Sequence, residues 1–384
     1  MPELEAHSPL GASGAYRWMV CPGSVQLSKG IVDEESEFAA EGTAAHGLAE
    51  TCLRTGLDAW QSISEEMHGG LVVSKDMADA VQVYLNHVRA YPDRDQSNWF
   101  VERSFHCPEL HPLFYGTADN VFIDEPNRNL YVDDYKHGAG IVVEAKNNPQ
   151  GMYYAAGVLE MLELWGKVDT ITIGIIQPRG FHYDGPIRQW SISVDDLKEW
   201  LHDTLIPAME TALVSRETKS GDHCRFCPAR GHACPQLVDD MKEMEELMGK
   251  VADQGGAKAL TNAELGRFLV LFDTAKIVAK AAGKTAFSRL QAGKKVPGRK
   301  LAKSKTNRTW KEGSEAAIIH KLGEKAMTES VLKSPAKIDA LPGGKDLTAQ
   351  HAYKPEGGLT VVSSGDTRKA QNTDVKGLFK PVTK

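Results

Sequence analysis

Along the chain the hydrophobic pattern changes period several times, and each change marks an element. Residues 38–55 and 76–90 carry apolar side chains at helical spacing. Asn120 to Ile123 and Asn129 to Asp134 read as two short strands, joined across Asp124-Glu125-Pro126-Asn127-Arg128, a stretch rich in turn formers. Asn148-Pro149 looks like an N-cap with proline in the first turn, opening a helix to Leu164. The run from Asp169 to Pro178 is an apolar strand ended by proline, and Ile187 to Ile192 is a further strand. Ser193-x-x-Asp196 resembles a capping box and starts a helix toward Glu217. The pattern predicts an α/β protein with a mixed central β-sheet flanked by helices.

After Pro235 the character changes. Residues 237–251 are highly charged with Met and Leu at helical spacing, and Asn262 to Leu290 reads as a longer amphipathic helix capped by Thr261 or Asn262. Its Leu265, Phe268, Leu269, Leu271 and Phe272 are expected to pack against the body of the protein. Beyond Gly293 the chain is rich in Gly, Ser, Lys and Pro, with short helices expected at 314–322 and 327–332 and partial order elsewhere. Three regions follow: 1–236, a domain closed by a cysteine cluster; 237–292, a helical extension; and 293–384, a basic, partly ordered C-terminal region.

Composition narrows the class. A chain of 384 residues can bury a real core, and no apolar stretch approaches the ~20 residues of a membrane span, so a cytoplasmic protein is expected. The formal charge of -6 argues against a wholly basic nucleic-acid binder, yet between Lys284 and Lys311 every charged side chain is basic. Such a run can neutralise phosphates without reading sequence, or it is a solvated linker. The absence of a Gly-x-x-x-x-Gly-Lys-Ser/Thr loop argues against an ATP-driven helicase activity within the chain.

Candidate chemistry concentrates around Gly116-Thr117-Ala118-Asp119 and Val132-Asp133-Asp134-Tyr135-Lys136. Side chains of a strand alternate faces, so Asp134 and Lys136 point one way while Asp133 and Tyr135 point the other. Asp119, at the entrance to the first strand, reaches the same spot if the two strands pair. Carboxylates of this kind suit Mg2+ or Mn2+, and a neighbouring lysine can orient water or neutralise charge on a phosphate. Upstream, His46 and Glu50 lie four apart on one helix, as a third arm of a metal site or as an ordinary ion pair. Downstream, Gln150 and Tyr154 share a helix face, either behind Lys136 or, with Met152 and Tyr153, in the core.

Six cysteines add a second line: Cys21, Cys52, Cys107, Cys224, Cys227 and Cys234. Cys224-x-x-Cys227 followed by Cys234 reads as metal or cluster ligation in a chain without secretory features. Three thiolates need a fourth ligand, and for zinc His223 or His232 could supply it. Cys52 and Cys107 read as a buried helix residue and a plain thiol.

Taken in order, His46 in Gly-Thr-Ala-Ala-His, Gly116-x-x-Asp119, Asp134-Tyr135-Lys136 and Gln150-x-x-x-Tyr154 resemble the RecB-like branch of the PD-(D/E)XK nuclease superfamily over roughly residues 8 to 236. The resemblance implies the PD-(D/E)XK nuclease core and a divalent-metal-dependent DNA exonuclease. By it, His46, Asp119, Asp134 and the Tyr135 carbonyl hold the metal, Lys136 is the catalytic lysine, and Gln150 and Tyr154 support the site or the DNA. The cysteine layout resembles that of AddB-like nucleases and implies a [4Fe-4S] cluster on Cys21, Cys224, Cys227 and Cys234, with zinc as the alternative. The tail, including residues 357–366, resembles phage-encoded members, which implies DNA recombination or end processing in a bacterial host beside a phage single-strand annealing protein. Arg17, Arg179 and the basic segment are expected to guide the strand. The rival expectations are a catalytically silent DNA-binding or assembly module, and a zinc-stabilised structural protein.

Overall fold

The computed structural model describes residues 8–31, 36–67, 70–231, 234–311, 313–328 and 331–371. Two compact units divide the chain, Met1–Ile277 and Val278–Lys384. The boundary falls inside one long helix, Asn262–Gln291.

The first unit is built on a five-stranded mixed sheet. Its strands are β1 (Trp99–His106), β2 (Tyr115–Asp124), β3 (Asn129–Tyr135), β4 (Thr170–Ile176) and β5 (Ile187–Ser193), in the order β1-β2-β3-β4-β5. Neighbours pair antiparallel except β3 and β4, which run parallel with Asp134 beside Ile175. A parallel pair needs a crossover, and helix α5 (Pro149–Met161) supplies it. This is the mixed α/β architecture the sequence pattern predicts. β1 had no sequence signal, and β2 is longer than expected, so Asp119 lies within the strand rather than at its entrance.

Helices cover both faces. The short α1 (Ala15–Trp18) and α2 (Gly23–Ser28) join α5, α6 (Val194–Trp200) and α7 (Ile206–Val214) over a core of Trp18, Phe105, Leu130, Val132, Ile171 and Ile173. α5 is buried on all sides from Gly151 to Leu159, as befits a helix between a sheet and a second helical layer. It lies so close to the strands that a Cβ at Gly157 would stand 2.1 Å from the Phe105 ring, and one at Gly151 would stand 2.4 Å from Ile173. Asn148 caps this helix by accepting from the Gly151 N–H, with Pro149 in the first turn, as its sequence predicts.

On the other face lie α3 (Glu37–Thr55) and α4 (Lys75–Arg89). Ala44, Ala45, Leu48, Ala49, Cys52 and Leu53 recur at helical spacing and bury against Tyr84, Leu85, Tyr135 and Ile176. Ser36 and Ser74 cap the two helices through their side chains, and Gly56, at φ +78°, ends α3 in the left-handed region. Where β4 and β5 extend beyond these helices, the sheet presents Thr170, Thr172, Gln189 and Ser191 as a polar groove, while alternate residues Ile171, Ile173 and Ile192 face the core. Helix α6 runs through one π turn, residues 201–205, into α7, and Ser193 Oγ accepts from the Asp196 N–H at its start. Downstream, α8 (Pro235–Asp253) packs Leu247 against Leu260 and Leu271, with Phe268 partly buried. α9 (Asn262–Gln291) starts at a reciprocal cap between Thr261 and Glu264. Of its five apolar positions, Leu265, Leu269 and Phe272 remain exposed, because α8 covers a narrower stripe than the sequence pattern implies.

The second unit is small and layered. β6 (Arg299–Lys303) pairs with β11 (Leu359–Ser363), and β7 (Thr309–Trp310) pairs with β10 (Ala352–Tyr353). β8 (Met327–Thr328) and β9 (Val331–Leu332) pair antiparallel where a helix was expected. α10 (Ser314–Leu322), α11 (Pro335–Ile338) and α12 (Gly344–His351) accompany a core of Ile318, Ala326 and Ile338. Several cations of the basic run are engaged here: Lys300 with the Asp366 carbonyl, Lys303 with Glu356, Arg308 with Asp339, and Lys311 with the Gln350 carbonyl.

The close approach of α5 gives a direct test. Gly157→Ala is expected to destabilise the protein by about 1–3 kcal/mol, because Phe105 has no space to withdraw into. Urea unfolding with an unchanged slope would record it; equal or higher stability would show that the sheet and helix separate freely.

Candidate metal centre

At one end of the sheet the regular pairing gives way. Trp99 and Val101 pack in the α3/α4 layer, whereas Phe105, of the same parity, packs in the α5 layer. The switch occurs at Glu102, whose φ of +52° is a left-handed value rarely adopted within a strand by a residue with a Cβ. Opposite it in register is Asp119, where the β2–β3 pairing has already ended at Asn120 and Asp133. The next backbone donor, the Tyr135 N–H, is taken by the Asp119 carboxylate at 2.8 Å. A side chain has replaced a carbonyl in the ladder, and the strands are free to part there.

Three ligand atoms meet beside this break. His46 of α3, Glu102 of β1 and Asp119 of β2 bring their ligating atoms within 4.8 Å of one another, with His46 Nδ1 3.4 Å from Asp119 Oδ2. One imidazole and two carboxylates form a donor set that could hold a divalent cation, closer to Mn2+ than to Mg2+ in softness. Burial, and then the charges of Asp119 and Glu50, push the Glu102 carboxyl up to about 8. A bound cation would remove that penalty. The His46 ring also packs edge-on to Tyr135, at 5.4 Å between centroids. Glu50, the expected neighbour of His46, pairs instead with Arg54 at 2.9 Å. Glu102 escaped sequence reading because β1 carries no motif; its strained backbone is a signal visible in the fold alone.

Next to this group stands a second cluster. Asp134 is buried, and Lys136 Nζ lies 2.6 Å from its Oδ2. Gln150 locks the pair: its Nε2 donates to Asp134 Oδ1 at 3.1 Å and to the Tyr154 hydroxyl at 3.1 Å, while its Oε1 accepts from Lys136 Nζ at 2.9 Å. Burial raises the Asp134 carboxyl; Lys136 opposes that and Asp119 adds to it. Burial also raises the Tyr154 hydroxyl, with Asp134 and Asp119 contributing. Asp134 Oδ2 has the Lys136 ammonium as its close partner and no further donor among the described residues, so it keeps a lone pair for a cation or its water. Gln150 and Tyr154 thus belong to the site, while Met152 and Tyr153 are core.

The other face of β3 is structural. Asp133 accepts from Asn120 Nδ2 at 2.9 Å and Tyr91 OH at 2.9 Å, with His87 at 3.3 Å, and it faces Gly174, where a Cβ would stand 2.1 Å from Oδ1. Behind Tyr135, its hydroxyl meets His137 Nδ1 at 2.8 Å. His137 Nε2 lies 3.5 Å from Glu41, which Arg179 binds at 2.9 Å. Arg179 is therefore committed to an ion pair beside the site. Arg17 donates to Ser24 Oγ at 3.0 Å, near the cysteines.

Cys21, Cys224, Cys227 and Cys234 line one small cavity together with Leu27 and Leu237. The Lys219 N–H points at Cys21 Sγ from 3.3 Å. Burial pushes the Cys224 thiol up to about 11, a Gly221 hydrogen bond opposes this, and the other three thiols add to it; burial likewise raises Cys21. Four thiols on one cavity are a soft donor set, of the chemical type that zinc and iron-sulfur clusters take. His223 donates Nε2–H to the Lys219 carbonyl at 2.9 Å. His232 lies outside the described residues. Cys52 and Cys107 are buried elsewhere, Cys107 Sγ lying 3.5 Å from the Gly157 carbonyl.

With this geometry in place, comparison with known families shows where the chain belongs. It is a member of the family described as Protein of unknown function (DUF2800), whose model matches residues 7–369, in both units. No helix among the described residues is long and apolar enough to cross a membrane.

The Glu102 carboxyl supplies a pH test. Its folded value, about 8, exceeds the ordinary 4.5, so the folded protein binds the extra proton between those values. That contribution to stability is complete below pH 4.5 and is lost as pH rises toward 8. In EDTA, Tm of the wild type is expected to fall across this window more steeply than Tm of Glu102→Gln. Adding Mn2+ at the alkaline end should raise the wild-type Tm and leave the variant unmoved. Parallel pH profiles would remove Glu102 from the site.

Proposed function

We propose that this DUF2800 member is a divalent-metal-dependent DNA exonuclease. The observation that carries the reading is the convergence of His46, Glu102 and Asp119 on one point beside the Asp134–Lys136–Gln150 cluster. It combines with the resemblance of the same motifs to RecB-like nucleases.

His46, Glu102 and Asp119 would hold Mg2+ or Mn2+, with Asp134 Oδ2 and the Tyr135 carbonyl as further oxygens from β3. When bound, the ion supplies an acidified water and charge neutralisation at a phosphodiester. The chain's own part is positioning. Lys136, held between Asp134 and Gln150, presents a fixed ammonium where charge builds on the phosphate. Gln150 ties Asp134 to Tyr154, so carboxylate and lysine keep one geometry as substrate enters. The low polarity around Asp134 and Tyr154 strengthens these interactions relative to water.

On the cysteines we propose a [4Fe-4S] cluster that ties the early Cys21 to the late trio, as in the resembling nucleases, with zinc as the competing occupant. DNA is the proposed partner, and recombination or end processing beside a phage single-strand annealing protein is the proposed setting.

End-labelled linear DNA, single and double stranded, beside a closed circle tests the activity in Mn2+. Linear substrates are expected to be lost and the circle spared, with Asp134→Asn and Lys136→Ala slower by about 100-fold or more. Cleavage by both variants at the wild-type rate, or intact DNA throughout from metal-loaded protein, would sink the proposal.

For the cysteines, anaerobically purified protein should carry stoichiometric iron and acid-labile sulfide. Cys224→Ser with Cys227→Ser should lose both and melt at a lower temperature. Stoichiometric zinc without iron would replace the cluster with a tetrahedral site.

A further inference from the structure

Building on the nuclease reading, we propose that the loop between β4 and β5, residues 177–186, is a base-stacking platform that receives unpaired bases of a single DNA strand entering the site. Phe181 and Tyr183 project from it with 89% and 86% of their surface exposed. Ile141 and Val142 of the β3–α5 loop are also exposed and are joined to the same base through Gln177. Single exposed hydrophobics are ordinary, but aromatics held out in water on a fixed support are not.

The support is rigid. Gln177 N–H donates to the Pro186 carbonyl at 2.8 Å and closes the loop. The Gln177 side chain donates to the Gly138 and Ile141 carbonyls at 2.8 Å each and accepts from Val143 N–H and Arg188 at 3.0 Å each. Arg188, buried, also holds the Val143 and Gly185 carbonyls. Arg179 ties the root of the loop to Glu41 on α3, the helix that carries His46.

Tyr183 is itself positioned. Its ring stacks on His182 at 4.3 Å between centroids and 27° between planes, leaving its second face open. The His182 side chain is nearly buried, with Glu144 at 3.4 Å and Asp184 at 3.9 Å. A preset aromatic with one free face is what a nucleobase needs, since stacking on it costs little ordering. Glu144 and Asp184 beside it repel phosphates, which directs contact to base faces and away from the backbone.

The location fits the role. Lys136 N–H donates to the Ile176 carbonyl at 2.8 Å, so the loop leaves the sheet directly beside the lysine. A strand stacked on Phe181 and Tyr183 through its bases would run its backbone past that ammonium. Because every base has an apolar face, the contact selects unpaired over paired DNA without selecting sequence.

The test uses full-length protein carrying Asp134→Asn, so that binding is read without cleavage, and a fluorescein-labelled oligothymidylate as probe. Phe181→Ala with Tyr183→Ala is expected to weaken binding of this strand by about ten-fold or more and to leave blunt duplex binding unchanged. Phe181→Trp, at a position too exposed to disturb folding, should keep the affinity and show emission quenched by the oligonucleotide. Unchanged single-strand affinity with unquenched tryptophan would overturn the platform. Because the readout is binding, failure of the nuclease reading appears separately, as wild-type protein that cleaves no DNA yet still shows the binding difference.

Discussion

Glu102, Asp119 and Asp134 crowd three carboxylates onto neighbouring strands at one end of a sheet, and the surrounding structure is arranged around that crowding. Carboxylates in low polarity repel each other and lose hydration. The protein meets part of this cost with Lys136 on Asp134, His46 on Asp119 and the Tyr135 N–H on Asp119. The remainder shows in the raised Glu102 and Asp134 carboxyls. Such stored electrostatic cost is tolerated where a cation is to be received.

Holding the carboxylates together requires backbone to depart from regularity on a scaffold that does not yield. Glu102 adopts a left-handed conformation, and the β2–β3 ladder opens at Asp119. Around that opening the packing is unusually close. Gly151 and Gly157 let α5 lie against the strands, and this fixes Gln150 over the Asp134–Lys136 pair. On the opposite face, Asp133 is fully satisfied by Asn120 and Tyr91, so adjacent aspartates of β3 have opposite fates. One is an anchor beneath the strands, and the other is paired with Lys136 and Gln150 beside His46 and Asp119.

The two metal-related features hold different parts of one unit. The His and carboxylate group sits where β1, β2 and α3 meet, in hard donors suited to a labile cation. The cysteines lie where the first helices meet the segment leading into α8, in soft donors suited to a resident metal. Sequence separation explains the second arrangement: Cys21 and Cys234 stand at opposite ends of the region that forms the sheet, and a shared metal would close that long loop.

Much of this was legible before any coordinates. Helical periodicity located α3 and α4, Asn148-Pro149 fixed where α5 begins, and the run at 170–176 could be read as an apolar strand. Alternation in β3 separated Asp134 and Lys136 from Asp133 and Tyr135, because a period of two is a local property of extended backbone. Local rules could not supply β1, whose Trp99 to His106 lacks clean alternation because its face switches at Glu102. Nor could they expose Leu265, Leu269 and Phe272 of α9, or pair β8 with β9, since each depends on which surface is already covered. The sequence by itself therefore determined which residues could carry the chemistry and on which side of their own strand or helix they stand. That Glu102 joins His46 and Asp119, and that Phe181 and Tyr183 stand out beside Lys136, was decided by tertiary structure. Those relations arise from strand order and from a break in pairing, which no single segment encodes.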